Sequence, residues 1–281
     1  VNATIRVNFL RTMTAAGLLA VAAIANAASF TLIDGEGFEA PDYSLAILEG
    51  QFASTFEGVG SAAWVQSPLG GTSTAVVQDS VVASGSQAVE VNRASGSDDR
   101  WAVPITGAPA LPLVCIEWDM LVEASPTTQP FGPFFGIEAY DDDATLLLRV
   151  GSLGVDASTG DVLVTDFASG LVETGASATL GEWNSFRMVL DYSTDTYYSF
   201  LNDILIFTTD FESLGADQFT DADIAAIAAG GDAASLAATG TAYFDNYLVF
   251  ETDDFSKIPE PASLAIALLA LVSGGCLRCR R

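Results

Sequence analysis

Trp183-Asn184-Ser185-Phe186-Arg187-Met188-Val189-Leu190-Asp191-Tyr192, then Ser193-Thr194-Asp195-Thr196, then Tyr197-Tyr198-Ser199-Phe200-Leu201-Asn202-Asp203 and Ile204–Phe207, is the stretch that decides the fold class. Three runs rich in apolar, aromatic and β-branched residues are separated by two short polar breaks. Asn202-Asp203 is a two-residue break of the kind that tolerates the left-handed backbone a tight hairpin needs. The stretch reads as three antiparallel strands joined by two hairpins.

Similar runs recur in both directions. Phe30–Ile33, Thr74–Val77, Gln87–Val91, Leu113–Val122, Phe134–Tyr140, Leu146–Val150, Val162–Thr165 and Ala242–Phe250 are short and apolar, and Gly, Asp, Ser or Asn separates most of them. About 230 residues of this texture suit one large sandwich or barrel. One segment departs from it. Thr220-Asp221-Ala222-Asp223, Ile224–Ala229 and Gly230-Gly231 predict a short helix near 220–230, with Thr220 as N-cap, two Asp at the positive dipole end and Gly230 at the C-terminal cap.

Composition excludes whole classes of chemistry. The 281 residues include 36 Asp+Glu, 10 Lys+Arg and no histidine, for a formal net charge of −26. Without histidine there is no Ser-His-Asp triad, no Cys-His dyad and no His-ligated zinc. The negative charge argues against nucleic acid, whose phosphates need neutralising cations, and against a polybasic membrane-surface binder. The charge is also segregated. Residues 28–258 hold 35 acids against 5 bases, a net of −30, and the other five bases lie at the two ends.

Those ends read as addresses. Arg6 and Arg11 precede the apolar run Met13–Ile24, and Ala25-Asn26-Ala27 forms a small-x-small site. This predicts a signal peptide over 1–27, cut between Ala27 and Ala28. The run falls short of the about 20 residues a membrane span needs. At the other end, Pro259-Glu260-Pro261 precedes the apolar stretch Ala262–Val272, and Arg278, Arg280 and Arg281 close the chain. The prolines break a helix on its outer side and the arginines hold its end in the cytoplasm, a marginal anchor inserted transiently in the membrane.

This tail resembles a PEP-CTERM sorting signal. The resemblance implies processing by an exosortase of a Gram-negative bacterium and delivery to the cell surface or to an exopolysaccharide matrix. Residues 253–258 are then a linker and 259–281 the sorting tail. Cys276 and Cys279 fall inside that tail, which leaves Cys115 alone in the body, an inert thiol with no histidine to activate it.

The body resembles secreted bacterial modules with a concanavalin-A/laminin-G-like jelly roll. Trp183, Phe186 and Asp191 match the pattern W-x-x-F-x-x-x-x-D, Tyr197 with Leu201-Asn202-Asp203 matches Y-x-x-x-L-N-D, and Phe244-Asp245-Asn246-Tyr247 matches a closing F-D-N strand. Phe38–Tyr43 with Gly50-Gln51, and Gly85–Val89, are similar to PEP-CTERM proteins carrying this module. The resemblance implies an all-β antiparallel jelly-roll sandwich over 28–252, between a signal helix and a sorting helix.

Three constellations are candidates for chemistry. On Leu113–Val122, alternation puts Val114, Ile116, Trp118, Met120 and Val122 toward the core and Cys115, Glu117, Asp119, Leu121 and Glu123 on the other face. Glu117 and Asp119 resemble the start of the E-x-D-x-E strand of laminarinase-type hydrolases, but Leu121 stands at the third acidic position. Asp141-Asp142-Asp143 follows a strand ending at Tyr140 and is the candidate calcium ligand set, since calcium takes acidic and carbonyl oxygens. Trp64 and Trp101 lie in less regular stretches and are the candidate exposed rings for stacking a sugar. The expectation is a non-enzymatic extracellular protein that binds glycan through Trp64, Trp101, Glu117 and Asp119, with extracellular polysaccharide as partner and calcium as a candidate ion. The alternatives are a carboxylate-dependent glycan hydrolase or lyase, and a purely structural matrix protein.

Overall fold

The computed structural model describes residues 28–256, save 69, 106–108, 127–130, 144–145, 168, 214 and 255, with backbone alone for 142, 143, 146 and 147. The predicted signal peptide with Ala25 and Ala27, and the sorting residues Pro259, Glu260, Pro261, Arg278, Arg280 and Arg281, lie outside the described residues. Ala28 is described, and its amide donates to Asp253 Oδ1 at 2.6 Å, beside the start of the linker.

In chain order the strands are β1 Ser29–Asp34, β2 Phe52–Thr55, β3 Gly60–Ala63, β4 Val65–Ser67, β5 Thr74–Gln78, β6 Ala88–Arg93, β7 Asp99–Ala102, β8 Leu113–Val122 and β9 Pro133–Asp143. They continue as β10 Leu146–Asp156, β11 Asp161–Asp166, β12 Gly170–Ser177, β13 Trp183–Asp191, β14 Thr196–Leu201, β15 Ile204–Asp210, β16 Asp221–Ala228 and β17 Gly240–Thr252, with one short helix, α1, at Ala233–Ala237. The first sheet runs β15-β14-β13-β8-β17-β1-β2-β3, with β6 also on β17 and β5 on β6. The second runs β12-β11-β10-β9-β16-β7-β4. Neighbours pair antiparallel, as in β8 with β13 and β17 and in β9 with β10 and β16. Two antiparallel sheets face to face make the jelly-roll sandwich that the sequence implied.

The core follows from alternation. Val114, Ile116, Trp118, Met120 and Val122 of β8, with Phe186 and Met188 of β13, meet Phe135, Ile137 and Ala139 of β9 and Val162 and Val164 of β11 in one cluster. Trp118 stacks on Phe186 with ring centroids 5.5 Å apart. The Asn202-Asp203 turn has φ of 49° and 63°, both left-handed as a two-residue hairpin requires.

The expected helix near 220–230 is instead β16, the strand between β9 and β7. Alanine's preference for helix over other states is worth under about 1 kcal/mol per residue. Burying Ile224 and Ile227 contributes about 1.5–3 kcal/mol each, and pairing on both sides satisfies the strand's backbone. Tertiary burial therefore wins. The helix lies later, capped by Asp232, whose carboxylate accepts from the amides of Ala234 and Ser235.

Candidate functional site

Two clefts sit on the outward faces of the two sheets. On the first, alternation turns Glu117 and Asp119 of β8 outward beside Ser185 and Arg187 of β13. Ser185 Oγ donates to Asp119 Oδ1 at 2.6 Å, and Asn246 Nδ2 donates to Asp119 Oδ2 at 2.7 Å. Asn246 can do so because it occupies a bulge of β17 with φ of 52°, where the register against β8 slips by one residue. Arg187 lies 4.3 Å from the centroid of the Phe200 ring, 3.4 Å from Asp203 and 3.9 Å from Glu117. Glu117, Asp119, Ser185, Arg187, Asp203 and Asn246 line a cleft of about 240 Å³. The structure thus brings the two sequence-predicted carboxylates together with a guanidinium, a hydroxyl and an amide. Cys115, on the same face, is buried in a small cluster with Leu113, Val189 and Phe200.

The second cleft was not anticipated. On β9, Glu138 and Tyr140 face outward opposite Asp223 and Asp221 of β16, and Arg149 of β10 lies opposite Tyr140. Glu138 has no solvent exposure. Arg100 Nε and Arg149 Nη1 each donate to it, and the Tyr140 hydroxyl donates to its Oε2 at 3.0 Å. Arg149 also grips Glu212 with two bonds, of 2.6 and 2.8 Å. Burial opposes charge on both arginines. The carboxylates more than offset it, Glu138 for Arg100 and Glu212 with Glu138 for Arg149, and hold both groups above their usual pKa. Burial, then the Glu138 charge, push the Tyr140 hydroxyl well above its ordinary pKa, so it remains a neutral donor.

Beside this network opens a cleft of about 460 Å³, within the range of small-molecule sites of about 300–1,000 Å³. Val65, Ala102 and Pro104 form an apolar wall, while Arg100, Tyr140, Asp221 and Asp223 supply donors and acceptors. Sequence reading missed it because its polar members come from β4, β7, β9 and β16. One signal was available: residues 28–258 contain only four arginines, and two of them converge here.

Two further sequence expectations are corrected, the exposure of Trp64 and Trp101 and the placement of Asp141–Asp143 after the strand. Trp64 and Trp101 are each 1% exposed and offer no ring to solvent. Trp64 donates Nε1–H to the Tyr43 hydroxyl at 3.0 Å and packs against Phe38 and Tyr247, with ring centroids 6.0 and 5.3 Å away. Trp101 points inward from β7, opposite Ile224. Asp141-Asp142-Asp143 is not a loop after Tyr140 but the end of β9, paired with Leu146–Leu148. Asp141 is 2% exposed, and its Oδ2 accepts from the amides of Asp217 and Gln218 at 2.8 and 3.2 Å, so it anchors a loop. The side chains of Asp142 and Asp143 lie outside the described residues. Among the described residues no group of three or more His, Cys, Asp or Glu is placed to hold a metal ion.

No protein-family model matches the chain, and no curated protein matches it in sequence. Among solved structures it is similar to a sialidase (TM-score 0.47, 10% identity, covering 68% of this chain and 17% of that one). It is similar as well to the cellulose-induced protein Cip1 (0.43, 16%, 66% and 90%) and to the alginate lyase Aly36B (0.45, 11%, 79% and 96%). The chain matches about a sixth of the sialidase's length and most of the other two.

Proposed function

We propose that this chain is an exported, non-enzymatic glycan-binding protein of the cell surface or exopolysaccharide matrix, and that it holds a sugar unit in the Arg100–Tyr140 cleft. The reading rests above all on that cleft's geometry. An apolar wall of Val65, Ala102 and Pro104 faces a guanidinium, a phenol and two carboxylates, the mixture that recognises the apolar face and the hydroxyl rim of a pyranose. Arg100 and Tyr140 are fixed by Glu138, so the site is preorganised and loses little freedom on binding. Binding rather than turnover is supported by Tyr140. With its proton donated to Glu138 and its pKa raised by burial, it can accept a hydrogen bond from a ligand hydroxyl but is no base.

Export and exosortase processing are supported by the sequence alone, through Arg6 to Ala28 and Pro259 to Arg281. Mass spectrometry of the secreted protein tests this part. A chain beginning at Ala28 and lacking Cys276 and Cys279 is expected, and a secreted chain retaining both cysteines overturns it. Calorimetric titration with polysaccharide fragments tests the cleft. Val65→Trp, at a wall residue 40% exposed, fills it without removing a charge and is expected to abolish binding of neutral fragments at little-changed melting temperature. Undiminished binding by that variant, or release of new reducing ends or unsaturated sugars from the ligand, overturns the reading.

A further inference from the structure

Three contiguous cavities cross the outer face of the first sheet, on the opposite side of the sandwich from the Arg100 cleft. The first is the cleft of about 240 Å³ at Glu117 and Arg187. The second, of about 400 Å³, shares Glu117 and continues over Leu248 and Phe250 to Thr31. The third, of about 260 Å³, shares Thr31 and reaches Asp34, Ser54 and Glu57. Their floor is one row of residues in register across five strands. Arg187 of β13 lies opposite Glu117 of β8, Glu117 opposite Leu248 of β17, Leu248 opposite Asp34 of β1, and Asp34 opposite Ser54 of β2. Four intervals of about 4.8 Å make a track of about 19 Å.

The lining selects the occupant. Carboxylates stand toward both ends of the track, Asp203, Glu117 and Asp119 at one and Asp34 and Glu57 at the other. The cation that lines it, Arg187, already lies between Glu117 and Asp203. Half-buried Leu248 and Phe250 give the centre an apolar floor, and Thr31 and Ser54 add hydroxyls. The floor strands are paired on both sides, so their backbones are closed to an added peptide strand. A pyranose chain advances by about one strand spacing per unit. We infer that this groove binds a linear glycan bearing free amino groups, about one unit per strand. The inference stands on its own observations and does not rest on the cleft of the second sheet.

The test titrates the secreted protein with β-1,4-linked glucosamine oligomers of two to six units and with their N-acetylated counterparts. The titrations are repeated in the Val65→Trp background, where the other cleft is filled, so surviving binding belongs to the groove. Affinity is expected to rise with length and level off at four to five units, and the uncharged N-acetylated oligomers are expected to bind at least about tenfold more weakly. Leu248→Arg is expected to abolish binding. Glu117→Gln, at a side chain 35% exposed, is expected to fold normally and weaken binding about threefold, the scale of one exposed charge pair. It keeps the test decisive where Leu248→Arg fails to fold. Length-independent affinity, equal binding of the N-acetylated series, unchanged affinity in Glu117→Gln, or loss of all binding in the Val65→Trp background overturns the inference.

Discussion

Glu138 has no exposure, while the two arginines that reach it are each about a quarter exposed. The pairing joins β7, β9 and β10 through one carboxylate and positions the Tyr140 hydroxyl at the cleft. Removing it leaves Arg100 without its carboxylate, Arg149 with Glu212 alone, and a buried hydroxyl without an acceptor. Loss of one member of a fully buried ion pair costs about 3–5 kcal/mol, and the partial exposure of Arg100 and Arg149 places Glu138→Ala near the low end. Urea denaturation is expected to show a lower midpoint at unchanged slope. Glu138→Gln keeps an acceptor for Tyr140 and loses less. A loss of glycan binding larger than the loss of stability explains would follow if Arg100 moves when its anchor is removed. At this scale the sequence was half legible. Glu117 and Asp119 share one strand, so alternation alone places them on one face. Glu138 gains its meaning from arginines 38 residues before it and 11 after, and no local pattern announces such a meeting.

At the scale of elements, long strands with apolar alternation were legible to within a few residues: Leu113–Val122 is β8 and Trp183–Asp191 is β13. The strands β2, β3, β4 and β7 are three or four residues long, too short to build a period. β16 is buried on both sides, so it carries no alternation to distinguish it from a helix. Loops depend on carboxylates as much as strands do on apolar faces. The segment before β6 is held from two directions, by Asp245, which accepts from the amides of Ala83 and Ser84, and by Glu39, which accepts from Ser86 and Gln87. The Ser86 hydroxyl, then the backbone amides, hold the Glu39 carboxyl below its usual pKa. A carboxyl depressed in the fold binds its proton less readily there than in the unfolded chain. Its contribution is complete above the unfolded value and is lost as pH falls through the folded one. Glu39→Gln is therefore expected to be less stable than the wild type near neutral pH. The gap between the two should close on acidification from about pH 6 to about pH 3. A gap that stays constant with pH would show that the loop does not depend on the charge of Glu39.

For the whole molecule, the −30 of residues 28–258 is barely relieved from within. The four arginines in that range are Arg93, Arg100, Arg149 and Arg187, and each is already ion-paired, with Asp98, Glu138, Glu212, Glu117 or Asp203. What remains is an excess of about 30 carboxylates, most of them outside the core, that repel one another and favour an expanded chain. The core of the sandwich opposes this without help from a disulfide, since Cys115 is the body's one cysteine. Screening should then matter more than in a balanced protein. The Debye length falls from about 30 Å at 0.01 M to about 8 Å at 0.15 M salt, from the scale of the whole molecule to that of neighbouring side chains. The melting temperature is expected to rise steeply over that range of sodium chloride and to flatten beyond it. Calcium chloride at matched ionic strength separates two causes. General screening gives the same curve for both salts. A bound calcium ion adds a shift that follows its own concentration by mass action and is reversed by chelator. Since no described cluster is placed to hold a metal, coincident curves are expected. A calcium-specific rise would place a site either on side chains outside the described ones, Asp142 and Asp143 among them, or on groups that come together only when the ion is bound.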